Sequence, residues 1–112
     1  MLTIDVRHPD VLEFINAKKD RTKVTGANIS VMLRNDFMKA VEKDATYILR
    51  YPCDASPEEA TTVKTVKAKD IYEAIVENAW ENAEPGQMFI DRHYDYSPDS
   101  VYSEYRGVTT NP

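Results

Sequence analysis

The residue types best suited to chemistry lie near the C-terminal end, where Asp91, His93 and Asp95 occupy alternate positions. On a β-strand, alternate side chains share a face. Two carboxylates and one imidazole on that face could bind a divalent metal ion. The only other histidine, His8, precedes Pro9 at a predicted helix start. We therefore favour the alternative, a solvated strand end and loop, and predict no bound metal.

A second candidate is the only cysteine, Cys53, which lies between Pro52 and Asp54. Nucleophilic catalysis requires a nearby base and a lowered thiol pKa, whereas an acidic loop next to Cys53 would raise that pKa. Two acidic pairs are interpreted as solvated faces and not as acid–base pairs: Glu58 with Glu59, and Glu81 with Glu84. The sequence also contains no glycine-rich phosphate loop. The side chains alone therefore predict no self-contained active site.

Composition limits the class of protein and its partners. The 112 residues suffice for one small domain, and 42% of them are hydrophobic and 29% charged, as in ordinary globular chains. A net charge of −5 disfavours a nucleic-acid surface, which needs clustered Lys and Arg. No apolar run approaches the roughly 20 residues that cross a bilayer. We predict no nucleic-acid or membrane partner, and the single cysteine favours a reducing, cytoplasmic location.

Periodicity predicts an α/β arrangement in the order strand, helix, strand, helix, hairpin, helix, strand. The segments that carry these elements are, in chain order, LTIDV, HPDVLEFINAKK, ANISVML, DFMKAVEKD, TYILRYP with TVKTVKA, AKDIYEAIVENAWENAEPG, and QMFID. In the second strand, Ile29, Val31 and Leu33 alternate with Ser30 and Met32. The two sets are expected to point to opposite faces of a sheet.

The second predicted helix has a recognisable start. Asn35 or Asp36 can cap its N-terminus, because a side-chain oxygen there accepts a free backbone N–H. Phe37, Met38 and Val41 then form its inward face.

The longest predicted helix has two adjacent apolar stripes. The first consists of Ile71, Ala74, Ile75 and Ala79, and the second of Tyr72, Val76, Trp80 and Ala83. Together they cover more of the helix than a single core requires. We therefore expect this helix to need cover on two sides, either from protein outside these 112 residues or from a second copy in a homodimer.

Periodicity ends at Arg92, and the remaining residues include four tyrosines. Tyrosine is too apolar for a typical disordered tail, and long irregular loops in compact domains are usually functional or disordered. We divide the chain into an α/β segment, residues 1–91, and an irregular loop, residues 92–112, which we expect to pack on protein outside the chain.

Several segments resemble the catalytic subunit of ribonucleotide reductases, above all the adenosylcobalamin-dependent, class II members. The segments that carry the resemblance are DVRHPDVLEFINAKKD, VTGANISVMLRNDFMKAV, IVENAWENAEPGQMFIDR, YSPDSVY and GVTTNP. The third is the most specific, with Asn78-Ala79-Trp80 followed by Glu84-Pro85-Gly86. The last resembles the approach to the family's finger loop, whose motif is Thr-Asn-Pro-Cys-Gly-Glu.

The resemblance implies a fold and a reaction. The family fold is a ten-stranded α/β barrel with the finger loop in its centre, of which this chain would form a partial segment. The family converts ribonucleotides to deoxyribonucleotides for DNA synthesis. A thiyl radical on the finger-loop cysteine removes the 3′-hydrogen of the substrate, a glutamate acts as general base, and a cysteine pair supplies reducing equivalents. A cofactor or metal centre must supply such one-electron chemistry, and the resemblance implies adenosylcobalamin in the complete enzyme.

Carried over residue by residue, the resemblance assigns one site residue. Asn111 takes the place of the family's substrate-binding asparagine, and Thr110 and Pro112 match the motif around it. The radical cysteine and the base glutamate would follow Pro112, and Cys53 matches none of the family's catalytic cysteines. We therefore expect the isolated chain to be inactive, without a cofactor of its own, and to require the remainder of a reductase from a split, truncated or intein-interrupted gene.

Two alternatives remain open from the sequence. A class I reductase would perform the same reaction with a metal-bearing radical partner subunit. A non-enzymatic interaction or structural remnant would have no activity, and its two-sided helix would serve for dimerisation.

Overall fold

A computed structural model of the chain describes residues 1–105, 110 and 112. The strands are β1 (Leu2–Asp5), β2 (Ile29–Leu33), β3 (Thr46–Tyr51), β4 (Thr62–Lys67) and β5 (Gly86–Phe89). The helices are α1 (Val11–Asn16), α2 (Asn35–Glu42), α3 (Ala68–Asn82) and α4 (Ile90–Tyr96). Up to β5 this order matches the predicted one, so the α/β class is confirmed.

β1, β2 and β5 form a parallel sheet with β2 in the centre. Leu2 pairs with Ile29 at one end, and Leu33 pairs with Phe89 at the other. Parallel neighbours need crossover connections, usually helical. Here α1 lies in the connection from β1 to β2, while α2, β3, β4 and α3 all lie between β2 and β5. Since the strands are parallel, their C-terminal ends lie at one edge of the sheet.

β3 and β4 form a separate antiparallel hairpin, as predicted, in which Thr46 pairs with Lys67 and Tyr51 with Thr62. Its buried side chains are Tyr47 and Leu49, which alternate with exposed residues because successive strand side chains point to opposite faces. The Tyr47 ring packs edge-on against Phe37 of α2, with ring centroids 5.3 Å apart. The hairpin therefore joins the main hydrophobic core.

The core lies between one face of the parallel sheet and the helices α1, α2 and α3. Its buried residues are Val6, Val11, Ile15, Val31, Leu33, Phe37, Tyr47, Leu49, Ala68, Ile71 and Ile75. As predicted, Val31 and Leu33 share the face of β2 that packs on the helices. The Cβ direction alternates along the strand, so Ser30 and Met32 point to the opposite face.

α3 buries one of its two predicted stripes. Ile71 and Ile75 are fully buried in the core. In the second stripe, Val76 is 46% exposed and Trp80 is 89% exposed. The described residues therefore cover α3 on one side only, and they leave a large aromatic side chain in contact with solvent.

α3 ends at a left-handed residue. Ala83 has φ 59° and ψ 14°, and its N–H donates to the Ala79 carbonyl. Such a helix end favours glycine, since a Cβ is strained in this region.

The residues after β5 differ from the prediction. The predicted strand through Asp91 ends at Phe89, and α4 begins at Ile90. Two short 3₁₀ helices follow, Pro98–Val101 and Ser103–Tyr105. The expectation of an irregular segment from residue 92 is therefore wrong for these stretches. Seven residues of α4 are too few for polar and aromatic side chains to show a helical period, which explains the miss.

The described strands form an open three-stranded sheet and a hairpin, not a closed barrel. Among the described residues, no helix is both long and apolar enough to cross a membrane.

Candidate functional site

Charged side chains meet at the edge where the parallel strands end. Asp5 is the last residue of β1, Arg34 follows β2, and Asp91 follows β5 by two positions. Arg34 donates from Nε and Nη2 to Asp5 Oδ2 at 3.0 and 2.6 Å, and from Nη1 to Asp91 Oδ1 at 3.0 Å. One guanidinium thus bridges the ends of all three strands.

Arg7 completes this ionic cluster from the turn after β1. Its Nε and Nη2 donate to the two carboxylate oxygens of Asp5 at 3.0 and 2.8 Å, a bidentate pair. Its backbone N–H also donates to Asp5 Oδ1, at 2.9 Å. A further bond from Arg7 Nη2 reaches Asp54 Oδ1 at 3.1 Å, but Asp54 is 94% exposed, so this outer pair is weak.

The electrostatics around Asp5 disfavour proton transfer by this carboxyl group near neutral pH. Burial by itself raises the pKa of Asp5, but hydrogen bonds from Arg7 and Arg34 outweigh burial and hold that pKa below its usual value. Burial likewise opposes the charge on Arg34, yet the bond to Asp5 raises the Arg34 pKa. Asp5, Arg7 and Arg34 therefore all stay charged. The cluster is therefore suited to fixing the strand ends and not to acid–base catalysis.

Asp91, a candidate metal ligand from the sequence, is part of this structural cluster. Its Oδ2 accepts the backbone N–H of Asn35, at 2.8 Å, in the first turn of α2. No side chain at the N-cap position of α2 forms a capping bond, so Asp91 provides the cap from a distant part of the chain. The prediction that Asn35 or Asp36 caps α2 is therefore wrong for Asn35, whose own N–H is bound by Asp91. Asp36 does contribute, because its Oδ1 accepts the first-turn N–H of Phe37 at 2.7 Å.

The metal-site hypothesis required a strand, but its residues lie on a helix. On α4, Asp91 and His93 are separated by about 200° around the axis, so they share no face. Among residues 1–105, 110 and 112, no group of three or more histidines, cysteines or acidic residues is placed to hold a metal ion.

Cys53 is partly exposed and forms no disulfide. Burial is the main reason that its pKa is raised, and the carboxylates of Asp5 and Asp54 add to the effect. The thiol is therefore a poor nucleophile. The direction matches the sequence prediction, although burial contributes more than the acidic loop.

The assigned site residue, Asn111, lies outside the described residues. Its neighbours Thr110 and Pro112 are both exposed. Pro112 lies next to Gly86 at the start of β5: a Cβ built on Gly86 would lie 3.3 Å from Pro112 Cγ. Pro112 thus lies beside the parallel sheet.

Sequence reasoning missed a polar pair in which one member, Asn78, is buried. Asn78 is 1% exposed, and its Nδ2 donates to Asn16 Oδ1 at 3.0 Å and to the Ala74 carbonyl at 2.8 Å. This pair joins α3 to α1. The signal was present, since Asn78 follows Ile71 and Ile75 at helical spacing on the buried stripe.

Residues 1–102 match the family model described as the ribonucleotide reductase barrel domain. The chain belongs to the ribonucleotide reductase barrel family. This confirms the resemblance predicted from the sequence, over nearly the whole chain.

Curated relatives are named as cobalamin-dependent members of the family. The vitamin B12-dependent ribonucleoside-diphosphate reductase of Thermoplasma acidophilum is 35% identical over 89 residues, which are 79% of this chain and 11% of that protein. The Mycobacterium tuberculosis protein of the same name is 29% identical over 113 residues, covering 100% of this chain and 15% of the relative. The vitamin B12-dependent ribonucleotide reductase of Agrobacterium fabrum is 38% identical over 63 residues, or 56% of this chain and 5% of the relative. The chain thus spans a small part of each relative.

The described residues do not fit a cobalamin by themselves. A corrin needs a broad, largely apolar cavity, because ligand sites bury most of the ligand's surface. Two grooves among the described residues are open to solvent and include charged residues, Lys18, Arg21 and Glu84 in one and Lys39, Glu42 and Asp95 in the other. Neither groove offers the enclosed, largely apolar surface that a corrin would need.

Proposed function

We propose that this chain is part of a class II ribonucleotide reductase, which uses adenosylcobalamin to convert ribonucleotides to deoxyribonucleotides. The match of residues 1–102 to the family's barrel domain carries the proposal, and the names of the relatives favour class II over class I. Cofactor binding is assigned to the remainder of the reductase, since the described residues do not fit a corrin.

Within the complete enzyme, the parallel sheet would form part of the closed ten-stranded barrel, and residues 92–112 would lead to the finger loop. Asn111 is proposed to hydrogen-bond the ribonucleotide substrate. The position of Pro112 beside Gly86 supports this assignment, because it brings the end of the chain to the sheet. The exposed stripe of α3 with Trp80 is a surface that the remainder of the reductase would cover. The proposed location is cytoplasmic.

The test is a ribonucleotide reduction assay on the complete reductase, with adenosylcobalamin and a thiol reductant. Turnover should require the cofactor, which separates class II from class I. Asn111→Ala should lower kcat/KM about tenfold to a hundredfold, the effect of losing a hydrogen bond to a substrate. The 112-residue chain alone should show no turnover. Turnover without adenosylcobalamin, or wild-type kinetics in Asn111→Ala, would contradict the proposal.

A further inference from the structure

The start of β5 has an unusually close environment. Gly86 pairs with Ser30 of the central strand β2. A Cβ added to Gly86 would lie 2.8 Å from Ser30 Oγ, 3.3 Å from Pro112 Cγ and 3.5 Å from the Pro112 carbonyl oxygen. Contacts below 3.0 Å are essentially never made by real Cβ atoms, so any side chain at position 86 must displace a neighbour.

The backbone conformation at position 86 does not require glycine. It lies in a regular parallel strand, outside the left-handed region that favours glycine. Gly26 provides the contrast, because a Cβ there would meet no atom within 4 Å. What position 86 requires is therefore the lack of a side chain, which permits close approach by another part of the chain.

Ser30 forms the floor of the same site. It is fully buried, and its hydroxyl donates to Met1 Sδ at 3.5 Å. Sulfur is a weak acceptor, so this bond alone does not explain why a buried position of β2 carries a hydroxyl group. Ser30 Oγ and Pro112 Cγ both lie within 3.3 Å of the point that a Gly86 Cβ would occupy, so the lack of that Cβ makes room for both residues.

We propose that Gly86 and Ser30, together termed the Pro112 seat, position the end of the segment that carries Asn111. Pro112 rests against Gly86, and its rigid ring holds this position of the chain beside the sheet. Gly86 is thus a positioning residue, which acts through Pro112 and not on substrate. This inference rests on the proposed function. It assigns to two residues of the sheet the role of holding the end of the loop in place.

The test uses the complete reductase with Gly86→Ala, and Gly26→Ala as the matched control. Misplacement of reacting groups by about 1 Å can cost a hundredfold in rate, so Gly86→Ala should lower kcat about ten- to a hundredfold. The KM should rise as well, because Asn111, the residue that the seat positions, is proposed to bind the substrate. Gly26→Ala should keep wild-type kinetics. Equal kinetics for Gly86→Ala and the wild type would overturn the proposal.

A double-mutant cycle separates positioning from strain within the sheet. Ser30→Ala removes the 2.8 Å clash but leaves the contact with Pro112, so the Ser30→Ala/Gly86→Ala double variant should recover kcat only in part. Full recovery would overturn the seat. If Gly86→Ala does not fold, Pro112→Ala, a change at an exposed residue, takes its place.

Amide hydrogen exchange provides a readout that is independent of turnover. Gly86→Ala and Pro112→Ala should each speed exchange in peptides that span Ser103 to Pro112, and leave exchange in β1 unchanged. Unchanged exchange in that segment would overturn the seat even in an active enzyme. A complete protein without reductase activity would instead contradict the proposed function, while these exchange rates would still test the seat.

Discussion

A 3.0 Å hydrogen bond from Arg34 Nη1 to Asp91 Oδ1 connects the end of β2 to the first turn of α4, across 57 positions of sequence. The other oxygen of Asp91 caps α2 through the Asn35 N–H. Since both partners are less than one-third exposed, this contact is shielded in part from water. It fixes the direction in which the chain leaves the sheet towards residues 92–112.

Removing the Asp91 carboxylate should destabilise the chain. We expect Asp91→Ala to lower the free energy of unfolding by about 1–2 kcal/mol, because it loses the α2 cap and the Arg34 pair. Asp91→Asn should cost less, since an amide oxygen still accepts the Asn35 N–H. Urea unfolding measures both. Asp95→Ala, at an exposed position of α4, is the control and should change stability by less than about 0.5 kcal/mol.

The stability contributed by Asp5 should depend on pH. Its folded-state pKa is lowered, since the bonds from Arg7 and Arg34 outweigh the opposing effect of burial. A carboxyl group whose pKa is lowered on folding stabilises the folded state at pH values above its unfolded-state pKa of about 3.9. This stabilisation is lost as the pH falls through the folded-state pKa. Asp5→Asn should therefore cost about 2–3 kcal/mol at pH 7, and the gap to the wild type should narrow below about pH 4.

Denaturant unfolding at pH 7 and pH 3 measures this gap, and Asp54→Asn is the control. Asp54 also pairs with Arg7 but is 94% exposed, so its loss should cost less than about 1 kcal/mol. A gap for Asp5→Asn that is equal at both pH values would contradict the prediction.

Glycine at the C-terminal end of α3 should stabilise the fold. Ala83 is exposed and has φ 59°, a conformation in which a Cβ costs about 1 kcal/mol. We expect Ala83→Gly to raise the free energy of unfolding by about 0.5–1 kcal/mol. Ala79→Gly, inside the same helix, should lower it by about 1 kcal/mol. Thermal unfolding of both variants checks the opposite signs, and a loss of stability in Ala83→Gly would refute this account of the helix end.

The Cys53 thiol should react slowly. Burial, together with the Asp5 and Asp54 carboxylates, raises its pKa, and only the thiolate is nucleophilic. Alkylation by iodoacetamide at pH 7.5 should be at least about threefold slower in the folded chain than in urea. Asp54→Asn should speed the folded-state reaction, since one carboxylate is removed. A folded thiol that reacts as fast as the unfolded one would rule out the raised pKa.

The sequence by itself determined the elements whose side chains repeat with a clear period. The 2-residue alternation in β2 and the apolar stripes of α3 are local patterns, and both elements lie where they were predicted. The family was also accessible, since its motifs are short, ordered runs of residues.

Only the tertiary structure decided what the polar residues do. Asp91 was assigned to a strand face, but it caps a helix that begins 56 positions earlier. Ser30 was expected only to face away from Val31, and its close approach to Gly86 became visible once residues 56 positions apart were brought together. Periodicity records which face of an element is apolar. It does not record which distant group will contact a single polar residue or a glycine, because the chain crossovers and the packing of the elements determine those contacts.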